Sequence, residues 1–230
     1  GEAGETLARQ GLANAAAVEP DLAPLAMTVV SFCLSAQRRR GEAIAAAEEA
    51  ALLAAGPPAS RWRGLAANRL GVARENDGDA AGAIAPFEEA LTVWRRHCFR
   101  WGMATARNNL TDALFQCGAW ERAAALHREV IAEDLAGAPA ADPWAVLRSW
   151  QGLAEIAVAA GDHRRAALLL GAGERYREER DLVLPLDERA ARVAAERQLR
   201  TDAGPGAVAA WLAEGRALAP REALGLPDGP

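Results

Sequence analysis

The side chains best suited to chemistry are few and scattered. The chain holds three cysteines (Cys33, Cys98, Cys117) and three histidines (His97, His127, His163). His97, Cys98, Cys117 and His127 are zinc-ligand types, but their spacing matches no paired-ligand pattern, so no metal site is expected. With no C-x-x-C pair and an odd cysteine count, the thiols read as reduced. Four serines occur, none inside a G-x-S-x-G turn, so a nucleophile elbow is absent. His163 follows Gly161-Asp162 at a helix start, a position for a cap or surface residue rather than a base. The paired acids Glu48-Glu49 and Glu88-Glu89 occupy consecutive helical positions, diverge, and read as solvated faces. All 26 basic residues are arginine, which removes the lysine of a phosphate loop, a kinase site or a Schiff base. No catalytic residue and no cofactor is expected; the chain reads as non-enzymatic.

Charge and hydropathy narrow the partners. A formal net charge of −5 argues against nonspecific nucleic-acid binding. The basic runs Arg38-Arg39-Arg40 and Arg95-Arg96-His97 with Arg100 read as solvated helix ends. Residues 22–37 are uncharged and precede three arginines, but with Pro24, Ser31 and Ser35 they fall short of the ~20 apolar residues of a span. A buried helix is expected there, with no membrane partner. The acidic start lacks the basic region of a signal peptide, so a cytoplasmic location is expected. A first residue that is glycine suggests excision from a larger protein.

The elements that must carry these residues are helices. Alanine fills 58 of 230 positions, and β-branched and aromatic residues are scarce. Residues 41–50 and 81–90 agree at six of ten positions, an offset of 40. The second copy extends into a frame: Leu70-Gly71, Gly78, Ala83, Phe87, Ala90. The frame returns as Leu110-Thr111, Gly118, Ala123, His127, Val130 and as Leu153-Ala154, Gly161, Ala166, Leu170, Gly173. A degenerate copy reads Val30-Ser31, Arg38, Ala43, Ala47, Ala50. Small residues let two antiparallel helices approach while Leu70 and Phe87 fill the gap. Gly78-Asp79 and Gly161-Asp162 end one helix and cap the next. Loops fall at 55–61, 136–143 and 181–187, with Ser60 and Asp142-Pro143 as helix starts. Pro86, inside a helix, is expected to kink or break it.

This frame resembles the tetratricopeptide repeat over residues 24–180, with a period of 40–43 rather than the usual 34 or so, as in the MalT-like variety. HEAT-type hairpins share a period near 40 and remain the alternative. The resemblance implies an all-α, right-handed solenoid of antiparallel helix pairs. Its repeats would span 1–185, with a truncated copy at 2–18 and four copies from about 24. A helical cap over 186–230 would follow, with helices at 186–199 and 206–218 and a short turn at 221–224. Trp211 and Leu212 are expected to bury against 168–170. Residues 150–226, with Gln151-Gly-Leu-Ala-Glu-Ile-Ala, Leu184-Pro-Leu-Asp-Glu-Arg and Trp211-Leu-Ala-Glu-Gly-Arg-Ala-Leu, resemble the C-terminal end of bacterial ATP-binding regulators of the LuxR, SARP and STAND types. In those, an NTPase and an effector, often DNA-binding, lie outside the repeats.

By the same resemblance the concave face, lined by first helices, is the binding face. Positions two before the frame leucine read Thr28, Asn68, Asn108, Gln151; two after read Phe32, Val72, Asp112, Glu155. Asn68, Asn108, Asp112, Gln151 and Glu155 are the candidate binding residues. They suit a protein segment or small effector that is cationic or donates hydrogen bonds. Asn109 is expected to bond locally between helices. Trp101, Trp144 and Trp150 are expected to serve packing, Trp150 between adjacent hairpins, while Trp62, Trp94 and Trp211 are the candidates for exposed interaction anchors. The function implied is a sensor region of a regulator; a free-standing scaffold and an unrecognised enzyme are the alternatives.

Overall fold

The computed structural model describes residues 2–56, 62–137, 142–184 and 186–225. Among them are twelve α-helices, a 3-10 turn at Pro20–Leu22 and no strand. The helices fall into two compact units, one ending at Ala119 and one beginning at Trp120. The first holds α1 (Glu2–Val18), α2 (Ala23–Ala36), α3 (Arg40–Leu53), α4 (Arg63–Asn76), α5 (Ala80–Arg96) and α6 (Arg100–Gln116). The second holds α7 (Trp120–Leu135), α8 (Pro143–Ala159), α9 (His163–Glu179), α10 (Leu186–Ala203), α11 (Pro205–Ala217) and α12 (Pro220–Leu224). Three frame copies are each one antiparallel pair, α2 with α3, α4 with α5 and α8 with α9; the residues of the remaining copy lie in α6 and α7. The expected start at Ser60 lies outside the described residues.

The turns repeat one chemistry. At the end of α4, Gly78 N–H donates to the Glu75 carbonyl (2.9 Å) and Asp79 N–H to the Arg74 carbonyl (3.0 Å), with Gly78 at φ 91°. Gly118 and Gly161 repeat the arrangement, the left-handed position that glycine occupies without strain. Arg38, Cys98 and Asp181 hold the same conformation at φ 60°, 52° and 52°, where a side chain is disfavoured. Asp79 and Asp162 then cap α5 and α9, accepting from Gly82 N (2.8 Å) and Arg165 N (2.9 Å). Asp142 caps α8, with Pro143 at its first position.

Packing follows from small residues facing large ones. Met27, Val30, Leu34, Ala43, Ala46 and Ala50 form one core between α2 and α3. At Gly71 a Cβ would overlap the Phe87 ring, and at Gly152 it would overlap His127, so each glycine is a socket for the aromatic of another helix. Pro86 does not break α5, which runs continuously through it. Proline leaves the carbonyl four residues back without its helical partner, and Arg74 Nη1 donates to that carbonyl, Gly82 O, at 3.0 Å.

The tryptophans depart from expectation. Trp94 is buried (5% exposed), because Gly64 and Gly102 leave room for its indole on either side. Trp101 and Trp144 are exposed instead, at 66% and 39%. Trp150 packs as expected, fully buried over Gly173. Trp211 and Leu212 are half-buried. The tight contact of α11 on α9 is made by backbone: Cβ atoms at Gly171 and Gly215 would collide with the main chain near Leu212 and at Leu168 respectively. Arg216–Glu178 (2.5 Å) and Arg164–Glu214 (2.6 Å) flank that crossing.

Candidate functional site: the first-helix faces

In the first unit, α2, α4 and α6 lie side by side and are tied by side chains rather than by backbone. Arg69 on α4 is buried and reaches α2. Its Nε donates to Ser31 Oγ (2.9 Å) and its Nη2 to Ser35 Oγ, while the guanidinium lies 5.8 Å from the Phe32 ring. Ser31 Oγ donates in turn to the Ala43 carbonyl of α3 (2.7 Å), so one hydroxyl links three helices. Between α4 and α6, Asn109 Nδ2 donates to Asn68 Oδ1 (3.0 Å), and Gln116 Nε2 to Glu75 Oε1 (2.7 Å).

These ties show which side chains share a face. Asn68, Val72 and Glu75 follow one another at helical spacing on α4, as do Asn108, Asp112 and Gln116 on α6. All but the exposed Gln116 are half-buried. The face grades from apolar to acidic. Phe32 stands 63% exposed on α2, whereas Glu75 and Asp112 bring two carboxylates into mutual influence. Burial raises the Glu75 carboxyl above its usual range; the Gln116 hydrogen bond opposes this, and the Asp112 charge adds to the rise. Thr28 is buried, its hydroxyl turned back to the Pro24 carbonyl at 2.8 Å.

In the second unit the same positions of α8 carry Gln151 and Glu155. Gln151 Nε2 donates to Glu155 Oε1 (2.9 Å), and Arg148 Nη1 approaches the same oxygen at 3.3 Å. This carboxylate has an internal cation in Arg148. Asn68, Asn108 and Asp112 lie in the first unit, and Gln151 and Glu155 in the second. Glu75 and Gln116 were missed because the stripe was read for one helical step only. The third position, seven or eight residues on, carries both.

The titratable groups outside these faces are engaged in packing. His127 is buried against Gly152, and burial, with the Arg148 charge, pushes its imidazole down to about 4. Tyr176 donates to Asp134 (3.3 Å) and lies under Arg180, which also bridges Asp134 at 3.1 Å, joining α7 to α9. His163 Nε2 lies 3.7 Å from Asp202 of α10. Cys98 and Cys117 are exposed and Cys33 is buried. Among the described residues no helix is long and apolar enough to cross a membrane.

Residues 103–132, from the body of α6 through most of α7, match the tetratricopeptide repeat family. The repeats are of the tetratricopeptide type. BtubC (BKLC) from P. vanneervenii has a similar fold at 21% identity and a TM-score of 0.66, over 79% of this chain and 74% of that one. A Podosopora anserina protein of nearly identical tetratricopeptide-like repeats, described as kinesin-light-chain-like, superposes with a TM-score of 0.60 at 18% identity, over 87% of this chain and 96% of that one. A variant of it gives 0.61 at 19%, over 86% and 94%. No curated protein matches the sequence. Tetratricopeptide-type pairs, rather than HEAT-type ones, account for the frame.

Proposed function

We propose that this chain is a non-catalytic protein-binding module whose first-helix faces take a cationic, hydrogen-bond-donating segment. The observation that carries this reading is the half-buried Glu75–Asp112 pair, with Asn68 and Asn108 one helical step before it on the same stripes. The Asp112 charge adds to the raised proton affinity of Glu75, and a guanidinium on the ligand would offset that repulsion. On α2 the exposed Phe32 ring offers an apolar contact. The tetratricopeptide-type fold is a scaffold suited to such binding.

The setting we propose is a bacterial regulator, with this region as its sensor and the NTPase and effector domains elsewhere. The resemblance of residues 150–226 to the ends of such regulators supports this. Binding would then shift the regulator between two states by its differential affinity for them. Titration calorimetry with a synthetic arginine-bearing peptide tests the binding step. Wild type should bind, Asp112→Asn should weaken binding at least tenfold, and a glutamate-bearing peptide should not bind. Equal affinity of wild type and Asp112→Asn would contradict the reading. In the full-length gene product, Asp112→Asn should also change effector output. Lost peptide binding with unchanged output would leave a free-standing scaffold.

A further inference from the structure

Between α9 and α10, within the second unit, lies a hollow of about 380 Å³, in the size range of small-molecule sites. Its α10 wall is one stripe, Arg189, Arg192, Val193 and Glu196, at helical spacings of three and four. Val183 and Leu184, in the connector after α9, complete an apolar side with Val193. Val183 is 80% exposed and Val193 52%, so two branched side chains meet solvent in one place. Single exposed apolar side chains are ordinary, whereas several sharing a concave surface suit a ligand. Leu184 and Arg192 also wall a void of about 10 Å³ with Leu147, Leu169 and Leu170, so the inner end of the hollow is apolar. The helix above it is lightly anchored: among the described side chains of α10 only Leu199 is buried.

Three guanidiniums and two carboxylates line the hollow, and both carboxylates are engaged on both oxygens. Glu174 accepts from Arg177 Nη2 (2.7 Å) and Nε (3.2 Å), and Arg192 Nη1 lies 2.9 Å from it. These arginines, the Arg177 hydrogen bond foremost, hold its carboxyl below the usual range against the effect of burial. Glu196 accepts from Arg192 Nε (3.2 Å) and Arg200 Nη2 (2.9 Å). The remaining nitrogens of the two arginines meet carbonyls, Arg192 Nη2 that of Leu170 (3.3 Å) and Arg177 Nη1 that of Leu182 (3.0 Å). Arg189 is left over. It is exposed and, among the described residues, has neither an ion-pair nor a hydrogen-bond partner. The lining therefore carries one surplus positive charge beside an apolar wall. A monoanion matches it, whereas the second charge of a phosphate would face Glu174 and Glu196 unanswered.

We infer that this hollow binds an aliphatic carboxylate, supplied by a free acid or by the C-terminal leucine or valine of a protein. The carboxylate meets the planar fork of Arg189, and the tail covers Val183, Leu184 and Val193. Such a ligand bridges α10 to the connector and, by mass action, favours the docked position of α10. The site is built from residues apart from the first-helix faces, and its occupant has the opposite charge.

The probe is hexanoate, added to the isotope-labelled chain while methyl resonances are followed by heteronuclear NMR. Wild type should show saturable shifts at Val183, Leu184 and Val193. Arg189→Gln and Val193→Asp, both at exposed positions, should each weaken binding at least tenfold; should Val193→Asp lose its helical circular dichroism, Arg189→Gln decides. Hexanol, with the same tail and no charge, should bind at least tenfold more weakly, as should the doubly charged hexyl phosphate. An acetylated Gly-Val-Leu peptide with a free C-terminus separates the two sources of the carboxylate. Tighter binding than hexanoate assigns the site to a protein C-terminus and weaker binding to a free acid, and either supports it. Asp112→Asn should leave hexanoate binding unchanged, so this site and the first-helix reading fail separately. No shifts at these residues with millimolar hexanoate, affinity indifferent to Arg189→Gln, or hexanol or hexyl phosphate binding as tightly as hexanoate would each overturn the proposal.

Discussion

Arg74 should matter because of a proline twelve residues away. Pro86 has no N–H, so Gly82 O loses its helical donor, and Arg74 Nη1 supplies a replacement at 3.0 Å. The other terminal nitrogen, Nη2, reaches Glu48 of α3 at 3.2 Å, an exposed ion pair. A partly buried hydrogen bond from a charged donor contributes about 1.5–3 kcal/mol, and an exposed ion pair about 0–1 kcal/mol. Arg74→Met keeps most of the side chain's bulk and removes both interactions, so it should destabilise by about 2 kcal/mol. In a Pro86→Ala background residue 86 regains its N–H and Gly82 O its helical partner. There the same Arg74→Met change should cost only about 0.5 kcal/mol, the exposed pair alone. The coupling energy is therefore about 1.5 kcal/mol, well above the ~0.3–0.5 kcal/mol expected of independent sites. Urea unfolding followed by far-ultraviolet circular dichroism measures all four corners of the cycle, compared at constant m. An equal cost of Arg74→Met in both backgrounds would refute the idea that arginine completes the helix around the proline.

Three further outcomes follow from the packing and the turns. Gly71→Ala should destabilise by about 1–3 kcal/mol, since its methyl overlaps the Phe87 ring, whereas Gly11→Ala, with open space around it, should gain about 0.5–1 kcal/mol; thermal melts distinguish them. Cys98→Gly should raise the melting temperature, by about 0.5–1 kcal/mol in stability, because residue 98 sits at φ 52°; no change would mean that the turn is unstrained. His127 titrates near 4 in the folded chain against 6.5 when unfolded, so its neutral form is the one the fold accommodates. Its contribution is fully present above pH 6.5 and is lost as pH falls towards 4, on the order of 3 kcal/mol in all. His127→Phe should flatten that part of the stability–pH curve, and an unchanged slope would assign the loss to other groups.

How much of this was legible in the sequence varied with how local the cause was. The pairing of helices and the turns at Gly78, Gly118 and Gly161 depend on short-range spacing, and the frame through Leu70, Leu110 and Leu153 located them. That Pro86 leaves α5 unbroken was not legible, because Arg74, which caps the freed carbonyl, lies on another helix. The exchange between Trp94 and Trp101 has a similar origin. Burial of Trp94 depends on Gly64 and Gly102, two glycines outside the repeat frame whose only signal was their smallness. At α11 the same feature, Gly215, outweighed the large neighbours Trp211 and Leu212 in setting the contact with α9. On the first-helix face, Asn68 and Asp112 followed from the frame. Glu75 required one more helical step, and the bond from Arg148 to Glu155 required coordinates.

The most direct test of the account is to map where a cationic segment binds. Amide and side-chain amide resonances of the isotope-labelled chain would be followed by heteronuclear NMR while an arginine-bearing peptide is added. The account predicts that shifts concentrate on α4 and α6, at Asn68, Glu75, Asn108 and Asp112, and that α3 and α5 stay unperturbed. Shifts confined to α3 and α5, or none at peptide concentrations well above micromolar, would contradict it.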